Sequence, residues 1–307
     1  MEQVRVFAPG SIGNVGPGLD ILGLALAGPG DTVDARRIPG SRVVVADPGH
    51  PDLPRSARRH AAALAARAVL RRAGRAQRFG LEIRVEKGLP LAGGQGGSAA
   101  SAVAGAVAAN LLAGEPLGES QLMLAALEAE TAVAGRHLDN IAPSLLGGLV
   151  LIRSLIGPDV VRLDPPRRLV VVLAKPDYDL ATSRGRAVLP TTVDRSVALQ
   201  QAANVAAMVA AARAHDVRAF GRAIDDHIAE PARARLLPGF EAAKRAALKA
   251  GAYGCSISGS GPTAFAVTDS TTTAKGIATA MEKAYRRAGV DCGVRIALPD
   301  KKGARVV

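Results

Sequence analysis

The sequence predicts a globular protein of the α+β class, on three observations. Hydrophobic residues make up 48% of the 307 positions, which is enough for a sizeable core. Short segments with alternating apolar residues, typical of half-buried strands, are interspersed with alanine-rich segments of helical periodicity. The most prominent strand–loop–helix unit leads into a second helix, so the regular βαβ arrangement of dinucleotide-binding folds is missing.

The first half begins with a strand that carries Val4 and Val6 and ends at residues 8–10, where a glycine-rich segment (11–20) follows. The other predicted elements of this half are β-patterned runs at 31–38 and 42–46, a basic helix at 55–72, a strand at 81–85, helices at 98–113 and 119–134, and a β-rich stretch at 148–153.

Pro165 and Pro166 interrupt both helix and strand, and they predict a domain boundary there. The two expected domains are residues 1–164 and 165–307. The elements predicted for the second are a buried strand at 169–174, helices at 194–214, 216–229 and 239–250, a strand–turn–strand unit at 254–267, a helix at 274–288 and a strand at 293–298.

The segment 88–101 (GLPLAGGQGGSAAS) is the strongest functional signal, because it joins a glycine loop to the start of a helix. Glycines let the backbone approach a ligand closely, and a helix N-terminus attracts anions such as phosphate. Ser98 is expected to cap this helix. The loop lacks the Lys-Ser/Thr ending of the common P-loop, and no protein-kinase segments accompany it. A glycine-rich turn without a ligand remains the alternative.

The composition narrows the remaining function classes. Cys255 and Cys292 suggest no disulfide framework, and no apolar run reaches the ~20 residues needed to span a bilayer, so we expect a cytoplasmic protein without membrane contact. The net charge of +12 derives partly from an arginine-rich helical face between residues 55 and 78. Aromatic residues for base stacking amount to only 3%, so a solvated helix face is favoured over nucleic-acid binding.

Three glycine-rich segments together resemble motifs 1, 2 and 3 of the GHMP kinases, a family that includes galactokinases and mevalonate kinases. They are 9–20 (PGSIGNVGPGLD), 90–101 (PLAGGQGGSAAS) and 258–262 (SGSGP). Three further segments resemble the branch of the family that phosphorylates L-homoserine: 137–148 (HLDNIAPSLLGG), 184–190 (RGRAVLP) and 230–238 (EPARARLLP). The resemblance implies an N-terminal ribosomal-S5-like α+β domain and a C-terminal ferredoxin-like α/β sandwich, with the active site between them.

The same resemblance implies ATP and Mg²⁺ as cofactors. Ser98 and Glu130 would hold the metal, and Thr182 would contact the γ-phosphate. The implied nucleotide-binding residues are Pro90, Leu91, Ala92, Gly93, Gly94, Gln95, Gly96, Gly97, Ser98, Ala99, Ala100 and Thr182. Gln95 and Gly97 depart from the family, which usually has Leu and Ser at these two places.

The implied substrate is L-homoserine, a zwitterion with one reacting hydroxyl. Its carboxylate would bind Arg186 and Arg233, whose planar guanidinium groups offer paired donors. Asp20 would pair with the ammonium group, and Asn14 would contact the hydroxyl. His137 would orient the substrate.

Asn14, Asn140 and Arg186 are the expected catalytic residues. Asn140 carries an amide, which cannot accept the hydroxyl proton at neutral pH. We therefore expect catalysis by positioning and charge neutralisation. A GHMP kinase with another small substrate, a non-catalytic protein on the same fold, and nucleic-acid binding through the arginine-rich helix remain alternatives. A homodimer is expected from the resemblance alone.

Overall fold

The computed structural model describes all 307 residues, which form two β-sheets and ten α-helices. The strands are β1 (Gln3–Gly13), β2 (Leu22–Ile38), β3 (Val43–Asp47), β4 (Gly80–Glu86), β5 (Leu149–Ser154), β6 (Asp159–Leu163), β7 (Val170–Pro176), β8 (Gly254–Ile257), β9 (Ala264–Thr268), β10 (Cys292–Ala297) and β11 (Arg305–Val306). The helices are α1 (Ala61–Arg72), α2 (Gly97–Leu112), α3 (Glu119–Val133), α4 (Ile141–Leu146), α5 (Thr182–Ala187), α6 (Arg195–Ala214), α7 (Val217–Arg222), α8 (Ala229–Ala234), α9 (Phe240–Lys249) and α10 (Thr271–Arg287). None of these helices combines the length and the apolar character that crossing a bilayer requires.

The first sheet has the strand order β11-β1-β2-β4-β3, and β5 and β6 extend it from β2. All its pairings are antiparallel except that of β3 with β4. Helices α1 to α4 share a hydrophobic core with this sheet. The C-terminal strand β11 pairs with β1, so the end of the chain returns to the sheet where it began.

The second sheet has the order β10-β7-β9-β8 and is antiparallel throughout. Alternate residues of β7 face different cores, as the two-residue period of a strand requires. Val170 and Val172 pack with α9 and α10, whereas Val171 and Leu173 pack with α6, α7 and the apolar residues of β1 and β2. The second core therefore joins the two sheets.

Helix α2 lies deep in the first core, and its small residues allow this. It consists largely of alanine and is buried around most of its circumference. A side chain at Gly105 would stand 2.8 Å from the backbone carbonyl carbon of Ala62 in α1, so glycine is required for the close approach of the two helices. The helix that follows the glycine loop is thus held firmly by its neighbours.

The structure corrects three element predictions. Residues 11–13, expected in a loop, continue β1, because Ile12 is buried in the core between the sheets and pairs with Leu24. The basic helix begins at Ala61, since a turn precedes it and the His60 ring lies 3.2 Å from the Pro48 carbonyl oxygen. The helix predicted at 216–229 ends at Arg222, because the Asp226 side chain accepts backbone amides beyond it and competes with helical hydrogen bonding.

Candidate active site

A cavity of about 690 Å³ opens where the first sheet's helices meet the second half of the chain. All three glycine-rich segments contribute to its walls. The lining also includes α5 and α8, which carry Arg186 and Arg233. The cavity is large enough for a nucleotide and a small second substrate.

The glycine-rich loop at residues 88–96, which we call the phosphate loop, ends at the N-terminus of α2, where several backbone amides have no partner. Gly96 precedes the helix in a left-handed conformation (φ 70°), and no side chain caps the helix. The backbone N–H groups of Gly97, Ser98 and Ala99 have no acceptor in the protein. Together with the positive end of the helix dipole, these amides favour an anion at the start of the helix, where Gly97 and Ser98 border the cavity.

Ser98 does not cap the helix as predicted. The helix begins one residue earlier, at Gly97, and the Ser98 hydroxyl donates instead to Oε2 of Glu130 at 2.7 Å. The serine is thus held by a carboxylate from α3, and the amides remain available.

The third glycine-rich segment fixes the shape of the phosphate loop. The hydroxyls of Ser258 and Thr263 donate to the carbonyls of Gly94 and Gly93, both at 2.6 Å. Gly94 has a φ of 70°, and a side chain there would stand 2.6 Å from the carbonyl oxygen of Gly261. Only glycine fits this contact between motifs far apart in sequence.

Most of the loop residues predicted to bind the nucleotide line the cavity, and three do not. Those that line it are Pro90, Leu91, Ala92, Gly93, Gly94, Gly96, Gly97, Ser98 and Thr182. Gln95 turns away, where its amide accepts from Arg295 at 3.1 Å and donates to Thr263 at 3.4 Å. The side chains of Ala99 and Ala100 are buried in the core of the first sheet, because α2 packs against it there.

Ser98 and Glu130, the two predicted metal ligands, are in direct contact. Glu130 is 3% exposed and still borders the cavity. Burial raises the pKa of Glu130, and the Ser98 hydrogen bond and His137 oppose that shift. No group of three acidic, histidine or cysteine side chains gathers here. One hydroxyl and one carboxylate fit Mg²⁺ when phosphate oxygens and water supply its other ligands.

Asp20 and Arg186 both line the cavity and face each other. The two guanidinium nitrogens donate to the two carboxylate oxygens at 2.9 and 2.7 Å. The hydrogen bond and charge of Asp20 raise the pKa of Arg186. The predicted ligand for a carboxylate and the predicted ligand for an ammonium group are therefore adjacent, and in this structure they pair with each other.

Asn14 shapes the segment that carries Asp20. Its side-chain amide donates to the Gly259 carbonyl at 2.8 Å and accepts from the Asp20 backbone amide at 3.0 Å. The residue is left-handed (φ 68°), which asparagine tolerates better than most residues. Asn14 borders the cavity; one of its two side-chain hydrogen bonds joins the first and third motifs, and the other lies within the first motif.

Arg233 is the most deeply buried cation of the site, 2% exposed. Its Nε donates to the Gly185 carbonyl at 3.0 Å and its Nη1 to the Gly259 carbonyl at 2.9 Å. Its Nη2 has no partner in the protein, and the residue borders the cavity. Two of its donors thus fix the guanidinium group, and the third nitrogen is free for a ligand.

His137, Asp139 and Asn140 also line the cavity. The Nδ1 atom of His137 lies 3.1 Å from Oδ1 of Asp139, close enough for an ion pair but misaligned for a good hydrogen bond. Burial lowers the pKa of His137, and the Asp139 carboxylate outweighs it, so the net shift is upward. The Asn140 amide oxygen accepts from Ser11 at 2.9 Å.

Lys87 borders the cavity and pairs with the buried Asp31; neither residue was predicted. The Lys87 ammonium group contacts the fully buried Asp31 carboxylate and donates to the carbonyl of Gly97 and the hydroxyl of Ser101, both at 3.1 Å. Asp31 also accepts from the amides of Gly88 and Leu89 at 3.3 Å. Lys87 directly follows β4 and precedes the glycine loop, and that position is the one sequence signal that pointed to it.

The comparisons with known proteins agree with this geometry. The family descriptions "GHMP kinases N terminal domain" and "GHMP kinases C terminal" match residues 59–148 and 208–287. The homoserine kinase of Chlorobaculum tepidum is 39% identical over 100% of this chain and 99% of its own length. That of Arabidopsis thaliana is 42% identical over 99% of this chain and 85% of its own length. The crystal structure of homoserine kinase from Cytophaga hutchinsonii superposes with a TM-score of 0.93 at 38% identity, covering 100% of this chain and 98% of that one.

The fold, the anion site at α2 and the charged cleft beside it define a kinase of small molecules. The chain belongs to the GHMP kinase family, in the branch formed by these homoserine kinases. The predicted fold class is confirmed by these matches.

Proposed function

We propose that this protein transfers the γ-phosphoryl group of ATP to the side-chain hydroxyl of L-homoserine. The hydroxyl oxygen forms a bond to the γ-phosphorus, the bond from that phosphorus to the bridging oxygen breaks, and ADP leaves. The hydroxyl proton passes to the transferred phosphoryl group or to water. The product is O-phospho-L-homoserine, an intermediate on the route to threonine.

One observation carries the kinase part of the proposal. Three consecutive amides at the start of α2, those of Gly97, Ser98 and Ala99, lack protein acceptors, and the first two belong to residues that border a cavity of nucleotide size. A triphosphate would satisfy these amides and the helix dipole together. Thr182 is half-buried and borders the same cavity, which supports its expected contact with the terminal phosphate.

The charged side chains that line the cavity support an amino acid as the second substrate. Arg186 and the free nitrogen of Arg233 suit a carboxylate, and Asp20 suits an ammonium group. A sugar has no charged group for the free nitrogen of Arg233, and none that would compensate for separating Asp20 from Arg186. His137 and Asn14 border the same space, where the reacting hydroxyl would lie.

The metal would be held by Ser98 and Glu130. When bound, Mg²⁺ would neutralise part of the charge of the phosphates. The chain's own residues then have three tasks: the α2 amides orient the phosphates, the arginines orient the amino acid, and Asn140 and Asn14 fix the wall along which the hydroxyl approaches. These tasks agree with catalysis by positioning.

An assay of ADP release tests the proposal directly. L-homoserine with Mg²⁺ should give turnover, and omission of Mg²⁺ with a chelator should abolish it. L-threonine, mevalonate and galactose serve as competing candidate substrates. Turnover with one of them in preference to L-homoserine would overturn the substrate assignment, and no turnover with any would favour a non-catalytic protein.

The expected homodimer and the domain boundary between residues 164 and 165 are part of the proposal. Light scattering on the purified protein tests the first. Limited proteolysis near Pro165 and Pro166 tests the second.

A further inference from the structure

Gln201 is a buried polar residue on an otherwise largely exposed helix. It lies in α6 and is 7% exposed. Its Nε2 donates to the Pro17 carbonyl at 2.7 Å and to Oδ1 of Asp226 at 2.9 Å. Its Oε1 accepts from the His227 amide at 2.9 Å. Both donors and the acceptor are therefore satisfied, so the orientation of the amide is fixed.

Asp226 connects Gln201 to the helix that carries Arg233. Its carboxylate accepts from the backbone amides of Ile228, Ala229 and Glu230 at 2.8 to 3.0 Å. These amides open α8, which has only six residues and depends on such contacts for its stability. Because Arg233 lies on α8, the place of its guanidinium group depends on Asp226.

Pro17 connects Gln201 to the other side of the substrate cleft. It lies in the glycine-rich segment between Asn14 and Asp20. The side chain of Asn14 and the guanidinium group of Arg233 both donate to the Gly259 carbonyl, at 2.8 and 2.9 Å. The Gln201 amide and the Gly259 carbonyl thus each connect the Asp20 segment with the Arg233 helix.

We propose that Gln201 and Asp226 are positioning residues that set the distance between the Asp20–Arg186 pair and Arg233, and so select the amino-acid substrate. This inference rests on the proposed function, because it assigns these groups to the ends of a zwitterion. Neither residue borders the cavity, so both act through other residues.

The electrostatics of the cleft agree with this role. Burial lowers the pKa of Arg233, and the charges of Asp20 and Asp226 oppose that effect. No carboxylate contacts the Arg233 guanidinium group directly. Asp226 therefore helps to hold the Arg233 guanidinium group in position and helps to keep it protonated.

The test compares Gln201→Ala with Gln200→Ala, a neighbouring glutamine that is exposed and bonds only to Asn204. We expect Gln201→Ala to raise the KM for L-homoserine about tenfold or more, the equivalent of one charge-assisted hydrogen bond. The KM for ATP should stay within about twofold, because the α2 amides do not depend on Gln201. Gln200→Ala should change neither constant.

Equal changes in both KM values, or a lower melting temperature with unchanged kinetics, would overturn the proposal. Gln201→Glu provides a second variant should the alanine form fold poorly, because it keeps the shape but loses both donors beside Asp226. Its KM for L-homoserine should rise further.

Hydrogen exchange on the ligand-free protein separates this inference from the proposed function. Gln201→Ala should speed exchange in residues 14–20 and 228–234 and leave residues 93–100 unchanged. Unaltered exchange in the first two segments refutes the positioning role even if L-homoserine is the substrate. Conversely, altered exchange without turnover on L-homoserine refutes only the substrate assignment.

Discussion

Asp20 and Arg186 neutralise each other across the candidate substrate cleft, with both guanidinium nitrogens within 2.9 Å of a carboxylate oxygen. Each is about one-third exposed, so the pair is accessible to a ligand. A zwitterionic amino acid has one ammonium and one carboxylate group. On binding, the ammonium group would pair with Asp20 and the carboxylate with Arg186, in place of the pairing between the two residues. A ligand with one charge would leave one of the two residues without a partner, which is costly in a partly buried site.

The first prediction concerns Asp20→Asn, which keeps the shape and removes the charge. We expect kcat/KM for L-homoserine to fall about tenfold or more, because the ammonium group loses an ionic partner. For 4-hydroxybutyrate, which lacks the ammonium group, kcat/KM should not fall, since Arg186 no longer has a competing partner. Asp179→Asn, at an exposed pair with Lys175, is the matched control. Equal losses for both substrates, measured by ADP release, would contradict the role of Asp20.

The second prediction concerns Arg233→Lys. Lysine keeps the charge but lacks the planar guanidinium group, which donates to both the Gly185 and the Gly259 carbonyls. We expect a fall of about tenfold or more in kcat/KM for L-homoserine and a lower melting temperature, because a buried carbonyl is left unpaired. Arg235→Lys, exposed and two residues further on, should affect neither. A variant that loses stability yet keeps the wild-type KM for L-homoserine would remove Arg233 from the substrate site.

The sequence predicted the fold well where a segment's own pattern decides its structure. Helices α2, α3, α6 and α9 begin and end within one residue of their predicted bounds, because each has a glycine or a polar turn at its ends. The same reasoning assigned no element to residues 22–30, although β2 runs through them. Their strand conformation depends on pairing with β1 and β5. Strand β5 is distant in sequence, and the register of the pairing with β1 shifts at a bulge.

The candidate site was predicted mainly through the resemblance of its motifs, and the structure adds what motifs cannot contain. Lys87 and Asp31 meet only because β2 and β4 pair, so no short segment encodes their contact. Gln95, a departure from the family loop, is held by Arg295, which lies 200 residues away. At Gly97, the nearest atoms to an added side chain lie at 3.4 Å, so sterics alone do not demand glycine there.

The third prediction concerns Glu130→Gln. An amide is a poorer ligand for a hard cation than a carboxylate. Half-maximal activity should therefore require about tenfold more Mg²⁺. The melting temperature of the ligand-free variant should not fall, because burial raises the pKa of Glu130 and the neutral amide avoids the cost of a buried charge.

Glu128→Gln, on the exposed face of the same helix, controls for the loss of a carboxylate. A Mg²⁺ titration of ADP release and a thermal melt provide the two readouts. An unchanged Mg²⁺ requirement in Glu130→Gln would exclude Glu130 as a metal ligand.

The fourth prediction concerns Asp139→Asn and the absence of a general base. Asp139 borders the cavity, and its carboxylate faces His137. If positioning and charge neutralisation drive the reaction, kcat should fall by about tenfold or less. A catalytic base contributes about 10²- to 10⁴-fold, so a loss in that range with an unchanged melting temperature would identify Asp139 as the base.

The fifth prediction uses the same variant to test the charge of His137. Asp139 raises the pKa of His137 against the effect of burial, so removal of the carboxylate should lower that pKa. A raised pKa in the folded state stabilises the protein fully below about 6.5, and this contribution is lost as the pH rises through the folded-state value. The stability difference between wild type and Asp139→Asn should therefore be largest in mild acid and shrink in alkali.

Asp159→Asn, at an exposed ion pair with Arg153, is the control, and its stability difference from wild type should not vary with pH in this way. An NMR titration of the five histidines, with urea unfolding at each pH, measures both quantities, and a His137 pKa that is the same in both proteins would contradict the pairing.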